Sequence, residues 1–436
     1  MTGKKKIAFV TLGCKLNYAE TSTYERGFTD AGLEVVQWND KADLYLVNTC
    51  TVTEHSDKKC RNIIRKLHRV SPDAEIVVTG CYAELKKTEI EKIEGVRFVF
   101  GAGEKKAVVP TVLHHIAGED AEEGLPVQDI GPEMQESDCG RGASSFLPAY
   151  SSGERTRSFL KVQDGCDYFC AYCTVPFARG RSRNIPIIDL VAQAREIAAD
   201  GIKEIVLTGV NTGDFGRTTG EKFLDLLKAL DGVDGIERYR ISSIEPNLLT
   251  EEIVDWIASG TKFLPHFHIP LQAGSDTILK AMGRRYDTAS FEQKINYIRK
   301  KMERPGAPHV FFGIDVIAGF PGETDVLFQE TYDFLKDRIR PAFIHIFPYS
   351  RRKGTKADMM KGQVRDSVKT ERVKKLEGLC GILHAEFLEQ NRGIHEKVLF
   401  ESSDKDGKMY GYTGNYIRIE RPYDPTLVGK IADIII

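Results

Sequence analysis

Asp164-Gly165-Cys166-Asp167-Tyr168-Phe169-Cys170-Ala171-Tyr172-Cys173 decides how the chain is read. It follows at once on Phe159–Gln163, a short apolar run predicted to be a strand. Three cysteines in a C-x-x-x-C-x-x-C spacing can wrap one corner of a cubane iron–sulfur cluster. Each thiolate takes one iron, and the fourth iron stays open. A zinc ribbon would need a second cysteine pair close by, and none is there.

Downstream of this loop, five more strand segments alternate with amphipathic helices. They are Glu204–Thr208, Arg238–Ser242, His266–Pro270, Phe311–Ile317 and Ala342–Phe347, and the helix Ile187 to Ala199 is opened by Pro186 and closed by Gly201. Six successive βα units with right-handed crossovers predict a parallel sheet curled into a partly open (β/α)6 barrel. Functional groups then belong just after each strand, at the C-terminal face. Gly209-Val210-Asn211, Ser242-Ser243-Ile244-Glu245-Pro246, Ile269-Pro270-Leu271-Gln272 and Gly319-Phe320-Pro321-Gly322-Glu323-Thr324 occupy such places. Asn211, Glu245 and Gln272 are the candidates there for holding a cofactor. Glu245 and Gln272 also read as capping or turn residues, and the Gly319 turn as tight packing.

Upstream, three segments repeat one design. Ile7–Gly13 runs into Cys14, Leu44–Thr49 into Cys50, and Ile76–Gly80 into Cys81, with helical patterns at Ala19 to Ala31 and Asp57 to Val70 between them. Alternating strand and helix predicts a doubly wound parallel α/β domain, and parallel strands put their C-terminal ends on one edge. Cys14, Cys50 and Cys81 then converge. Free cysteines are often plain core residues, but three out of three at strand ends argues for a site. Three thiolates with no evident fourth suit an iron–sulfur cluster with an open iron better than a closed zinc site. His55 is a candidate fourth ligand in principle, though a solvated loop histidine is the simpler account.

The whole sequence sets the frame. It has 436 residues, 41% hydrophobic and 28% charged, a formal net charge of −2 and a pI near 6.6. That profile suits a soluble globular enzyme of two or three domains and does not announce a nucleic-acid binder. No signal-peptide pattern precedes Lys4 and no apolar run reaches membrane-spanning length, so a cytoplasmic protein without membrane contact is expected. Nine cysteines in such a compartment point to metal or catalysis rather than disulfides. Residues 101–157 differ in character and read as an extended connector, with the acidic run 118–124 and an incidental Cys139.

Beyond Tyr349, residues 351–392 hold 11 Lys+Arg against 6 Asp+Glu and read as a basic helical segment. Four short strands follow, Glu396–Phe400, Met409–Thr413, Tyr416–Glu420 and Ile431–Ile435, with Asp406-Gly407 as a hairpin signal. They predict a small antiparallel β-barrel. From Gly393 onward 6 basic residues face 7 acidic ones, so this module is not cationic. Lys58 to Arg69 carries 6 basic residues and no acidic one. Arg61, Arg65 and Arg69 there, with Lys374 and Lys375, are the candidate phosphate contacts, solvated helix faces being the alternative.

The Cys166-Cys170-Cys173 motif, with Tyr172 before its last cysteine, resembles the radical S-adenosylmethionine superfamily. With Cys14, Cys50 and Cys81 on an α/β domain ahead of it, the chain resembles the radical methylthiotransferases along nearly its whole length. That resemblance implies two 4Fe–4S clusters: an auxiliary one on Cys14, Cys50 and Cys81 that carries the transferred sulfur, and one on Cys166, Cys170 and Cys173 that binds and cleaves S-adenosylmethionine. It also implies S-adenosylmethionine contacts at Asn211, Glu245 and Gln272, and a TRAM-like RNA-binding module at the C-terminus. Thr11-Leu12-Gly13-Cys14-Lys15-Leu16-Asn17 and Val47-Asn48-Thr49-Cys50-Thr51-Val52-Thr53 look like the MtaB-type branch, which acts on N6-threonylcarbamoyladenosine at position 37 of tRNA. The isopentenyladenosine branch typically has Gln-Met-Asn after the first cysteine, and the ribosomal-protein branch Pro-Lys-Asn. Ala273, where Ser is common, and Gly283 before Arg284 depart from the family pattern.

The expected layout is an N-terminal cluster-binding α/β domain over 1–110, a connector over 111–157 and a radical S-adenosylmethionine barrel over 158–350. A basic helical segment over 351–392 and the TRAM-like barrel over 393–436 complete it. The expected partners are tRNA and a low-potential electron donor of flavodoxin or ferredoxin type. The competing functions are methylthiolation of a ribosomal-protein aspartate and a non-enzymatic RNA-binding iron–sulfur sensor. A sensor needs only one cluster and has no use for an S-adenosylmethionine motif in a barrel mouth.

Overall fold

The computed structural model describes residues 4–118, 146–153, 156–402 and 406–436. Cys139 and nearly all of the acidic run lie outside them. The chain forms two compact units. The first comprises residues 1–153 together with 163–185 and 350–358, and the second 154–162, 186–349 and 359–436. The loop bearing Cys166, Cys170 and Cys173 thus packs with the N-terminal sheet.

In the first unit, β1 (Lys6–Thr11), β2 (Glu34–Val36), β3 (Leu44–Thr49), β4 (Glu75–Gly80) and β5 (Val96–Phe100) form one parallel sheet in the order β2-β1-β3-β4-β5. Every residue of central β3 is buried, which explains its unbroken apolar run. Tyr45 and Val47 face Ile64 and Leu67 of helix Glu54–Val70, whereas Leu44 and Leu46 face Tyr24 and Phe28 of helix Lys15–Asp30. The edge strands escape sequence periodicity, β2 because three residues are too few to show one.

The expected connector is partly helical. Helix Val108–Ile116 buries Val108 and Val112 in the same core as Tyr24 and Phe28. Its apolar positions recur at i and i+4, and Pro110 sits in the first turn, where no intrahelical N–H is needed. His55, expected in a loop, lies exposed in the first turn of helix Glu54–Val70, which Thr53 caps by accepting from the Ser56 N–H at 3.1 Å.

The second unit is built on β6 (Arg157–Lys161), β7 (Glu204–Thr208), β8 (Arg238–Ile241), β9 (His266–Gln272), β10 (Phe311–Ala318) and β11 (Phe343–Pro348). All are parallel, in two ladders, β6-β7-β8 and β9-β10-β11. The Leu264 and Ile244 N–H groups bridge the seam to Tyr239 and His268 carbonyls at 3.0 and 3.1 Å. No ladder joins β6 to β11 among the described residues, which leaves the barrel partly open. Helix Asp366–Gln390 covers the edge of β11, where the Cys380 thiol accepts from the Ile344 N–H at 3.3 Å. The Gly319 turn packs against Lys369 of the same helix.

The C-terminal strands β12 (His395–Phe400), β13 (Lys408–Tyr412), β14 (Arg418–Pro422) and β15 (Ile431–Ile435) make an antiparallel sheet in the order β14-β13-β12-β15. β14 starts two residues later than the sequence suggests, because Tyr416 adopts a left-handed φ of +66°. Its ring reaches the N-terminal end of the barrel. There it meets His266 (4.8 Å between centroids), Phe311 (5.7 Å) and the Arg240 guanidinium (4.8 Å). Arg240 donates to the Thr413 and Gly414 carbonyls at 2.7 and 2.8 Å, and Arg238 to that of Lys397 at 3.1 Å. Both pair with fully buried Glu204.

Candidate cluster sites and their buried charge network

Cys14, Cys50 and Cys81 follow β1, β3 and β4, three consecutive strands of the sheet, so the fold brings them to one edge. Cys14 is the N-cap of helix Lys15–Asp30, and Cys81 opens helix Cys81–Leu85. Gly13 makes the approach possible. At φ +107° a β-carbon there would lie 2.7 Å from the Cys50 Cβ and 3.0 Å from its Sγ. Burial, with Cys81 and Cys14 nearby, pushes the Cys50 thiol up to about 12. Burial also raises Cys81, against the opposing pull of Arg179 and Lys105.

A buried polar network holds the edge in register. Asn17 donates to the Leu12 carbonyl at 2.7 Å and to that of Thr49, directly before Cys50, at 2.9 Å. Its Oδ1 accepts from Arg179 Nη2 at 2.5 Å and faces the Cys14 thiol at 3.7 Å. Arg179 Nη1 donates to Asp164 Oδ1 at 2.9 Å and Glu20 Oε1 at 3.2 Å, and Lys105 completes Glu20 at 2.8 Å. Arg183 reaches the other Asp164 oxygen at 3.1 Å.

Asp164 begins the second cysteine loop. Its carboxylate accepts from the Gly165 N–H at 2.9 Å, and the Cys166 N–H donates to the Gly180 carbonyl at 3.1 Å. Gly165 has φ +73°, and a β-carbon there would fall 2.0 Å from the Arg181 carbonyl oxygen. Phe169, just before Cys170, is also left-handed at φ +49°, a strained state for a side-chain-bearing residue. Residues 350–358 hold both cysteine loops. Arg352 donates to Thr51 Oγ1 at 2.7 Å and pairs with Asp57 at 2.9 Å, while the Ala357 N–H donates to the Ala171 carbonyl at 2.8 Å.

Neither cysteine trio is drawn together as tightly as the ligands of a single ion. Among the described residues, only His268, Asp315 and His345 bring three His, Cys, Asp or Glu ligand atoms within 4.8 Å of one another. Thiolates around one tetrahedral zinc would lie about 3.8 Å apart.

Asn211 and Glu245 follow β7 and β8, and Gln272 ends β9, at one end of the barrel. Asn211 and Gln272 are buried, the latter at a left-handed φ of +70°. Burial raises the Glu245 carboxyl against its ion pair with Arg284. Of the candidate phosphate contacts, Arg65, Arg69, Lys374 and Lys375 are exposed. Arg61 is engaged with the Tyr82 hydroxyl at 2.8 Å and Glu89 at 3.1 Å, and Lys375 with Glu371 at 2.9 Å. Sequence reasoning missed Asn17, Glu20, Lys105, Arg179 and Arg352. The cluster Arg179-Gly180-Arg181-Ser182-Arg183 after the cysteine motif was the available signal.

The fold and the two thiol sets define a radical S-adenosylmethionine enzyme with an added N-terminal domain. Residues 160–335 match the Radical SAM superfamily, and residues 6–101 match the Uncharacterized protein family UPF0004. The chain is 37% identical to the threonylcarbamoyladenosine tRNA methylthiotransferase MtaB of Bacillus subtilis, over 98% of this chain and 93% of the relative. The protein of that name from Aquifex aeolicus is also 37% identical, over 99% and 100%. A tRNA-2-methylthio-N(6)-dimethylallyladenosine synthase of Alkaliphilus oremlandii is 31% identical over 99% and 90%. In fold it is similar to the radical S-adenosylmethionine methyltransferase TsrM of Kitasatospora setae, with a TM-score of 0.58 at 17% identity over 81% of this chain and 77% of that one. The chain belongs to the MtaB-type methylthiotransferase family. The cofactors of such an enzyme are S-adenosylmethionine and two 4Fe–4S clusters. Among the described residues, no helix is long and apolar enough to cross a membrane.

Proposed function

We propose that the protein is a tRNA methylthiotransferase that converts N6-threonylcarbamoyladenosine at position 37, beside the anticodon, into its 2-methylthio derivative. The end-to-end likeness to curated enzymes of that name carries this reading. Cys166, Cys170 and Cys173 hold the cluster that binds S-adenosylmethionine, and Cys14, Cys50 and Cys81 the auxiliary cluster. Convergence of the second trio on one sheet edge, beside buried Arg179 and Lys105, supports this assignment. When bound, these groups supply electron transfer, a carbon-centred radical and the sulfur. The chain supplies the buried lattice that fixes the cysteine loops. Asn211, Glu245 and Gln272 orient S-adenosylmethionine, and Arg61, Arg65, Arg69, Lys374 and Lys375 contact RNA phosphates. The enzyme works in the cytoplasm with a low-potential electron donor of flavodoxin or ferredoxin type.

Mass spectrometry of tRNA nucleosides from a strain lacking the gene tests the reaction. Threonylcarbamoyladenosine without its 2-methylthio group should accumulate, with isopentenyladenosine derivatives unchanged. Normal nucleosides alongside an unmodified ribosomal protein would sink the proposal. Anaerobic reconstitution tests the sites, with about eight irons expected per chain and about four after Cys50→Ala. Cys166→Ala should abolish S-adenosylmethionine cleavage, whereas Cys50→Ala should keep cleavage and lose sulfur transfer.

A further inference from the structure

One group of polar side chains in the barrel is left over by the cluster and S-adenosylmethionine assignments. Tyr416 is met by Arg157 of β6, Arg240 of β8, His266 of β9 and Phe311 of β10. Side chains from four strands converge on one ring only from the concave face. Strand residues two apart share a face, so His268, Gly313 and Asp315 also look inward. His345 pairs in register with Asp315 and joins them.

His268 Nε2 and Asp315 Oδ1 are 2.6 Å apart, and the His268 and His345 rings are 4.8 Å between centroids. Gly313, paired in register with His268, adds no side chain to this part of the wall. A β-carbon there would sit 3.4 Å from His345 Nε2. The same face of β11 carries Phe343 and Phe347, both exposed despite their size. The wall therefore combines an apolar bed with a cluster of two donors and one acceptor, the make-up of an organic ligand site. A single metal ion fits less well, because two ligands around one ion of zinc size lie about 3.3 Å apart. His268 and Asp315 are closer than that and share a direct hydrogen bond.

We propose that His268, Asp315 and His345 read the polar N6 substituent of the target adenosine. This deepens the reading above and rests on it. A threonylcarbamoyl group presents a carboxylate to accept from imidazole N–H groups, and hydroxyl and ureido N–H groups to donate to Asp315. A prenyl group of the same reach offers neither and would leave the carboxylate desolvated without a donor from the ligand. A site built to hydrogen-bond its substrate rejects the analogue that cannot reply.

The test uses reconstituted holoenzyme, its His345→Phe and Asp315→Asn variants, and two anticodon stem-loop RNAs, carrying threonylcarbamoyladenosine or isopentenyladenosine. Binding is measured alongside the ratio of kcat/KM for the two RNAs, with metal content determined for each protein. His345→Phe should weaken binding of the threonylcarbamoyl RNA about tenfold or more, from the loss of one charge-assisted hydrogen bond, and leave the isopentenyl RNA unchanged or tighter. Asp315→Asn, which keeps the shape, should move the ratio the same way. An unchanged ratio in both variants, an equal fall for both RNAs, or a non-cluster metal ion lost from the variants would overturn the inference. Wild-type enzyme preferring the isopentenyl RNA would instead bring down the function on which it rests.

Discussion

Arg179 is 2% exposed, and its guanidinium binds Glu20, Asp164 and Asn17 at once. Asn17 in turn holds the backbone on either side of the N-terminal cysteines, so one side chain links both thiol sets. Arg179→Met keeps the bulk but takes one cation from each of two buried carboxylates, and breaking a buried pair costs about 3 kcal/mol or more. Lys105 and Arg183 still answer Glu20 and Asp164, so the loss should fall at that lower end rather than unfold the chain. Anaerobic thermal denaturation of the metal-free protein should show the lower Tm. Arg179→Lys should recover only part of it, because an ammonium lacks the planar fork. The meeting of the N-terminal cysteines was legible because parallel strands end on one edge of their sheet. Arg179 was not, since one arginine among three in Arg179–Arg183 reveals its burial only once Glu20, some 160 residues away, is placed beside it.

Elements were legible where the hydrophobic pattern ran long enough. Helix Ile187–Ala199 and strand Glu204–Thr208 have the bounds the sequence suggests, whereas β2, β5 and helix Val108–Ile116 had to be seen. That helix is short and follows glycine-containing turns, so its stripe of Val108 and Val112 passes for connector. Val112→Ala should cost about 1.5–3 kcal/mol, because the site is fully buried and the cavity stays. A lowered denaturant midpoint at unchanged slope would check it. Helix Glu54–Val70 makes a different prediction. If its basic face meets RNA, each exposed arginine that contacts a phosphate contributes about 0.9 to the slope of log K against log salt. Arg65→Ala and Arg69→Ala should each flatten the slope by about that much. Arg61→Ala should do less, since Arg61 is already held by Tyr82 and Glu89. Equal effects of all three would mean that the Arg61 ion pair opens on binding.

On the scale of the molecule, the order of α/β domain, six-stranded barrel and antiparallel sheet was legible from alternation alone. The manner in which the second unit closes was not. Near-neutral charge and short strands gave no sign that the C-terminal module does more than sit beside the barrel. Instead its backbone carbonyls at Lys397, Thr413 and Gly414 satisfy Arg238 and Arg240, and Tyr416 closes the barrel's N-terminal end. Burial alone would raise the Glu204 carboxyl, but Arg240, Arg238 and Arg157 outweigh it and hold the group below its ordinary 4.5. A depressed folded pKa contributes stability that is present above the unfolded value and lost as pH falls through the folded one. The second unit should therefore weaken below about pH 4.5, and Glu204→Gln should flatten that acid limb. The same contacts decide what removal of the module does. Deleting residues 393–436 leaves Arg238 and Arg240 without their carbonyl acceptors and uncovers His266 and Phe311, so the barrel itself should fail. The truncated protein should aggregate or lose S-adenosylmethionine cleavage even without RNA. Tyr416→Ala in the full chain should lower the Tm while cleavage survives. A truncated protein that cleaves S-adenosylmethionine at the full rate and has lost only RNA affinity would show instead that the barrel stands without the module.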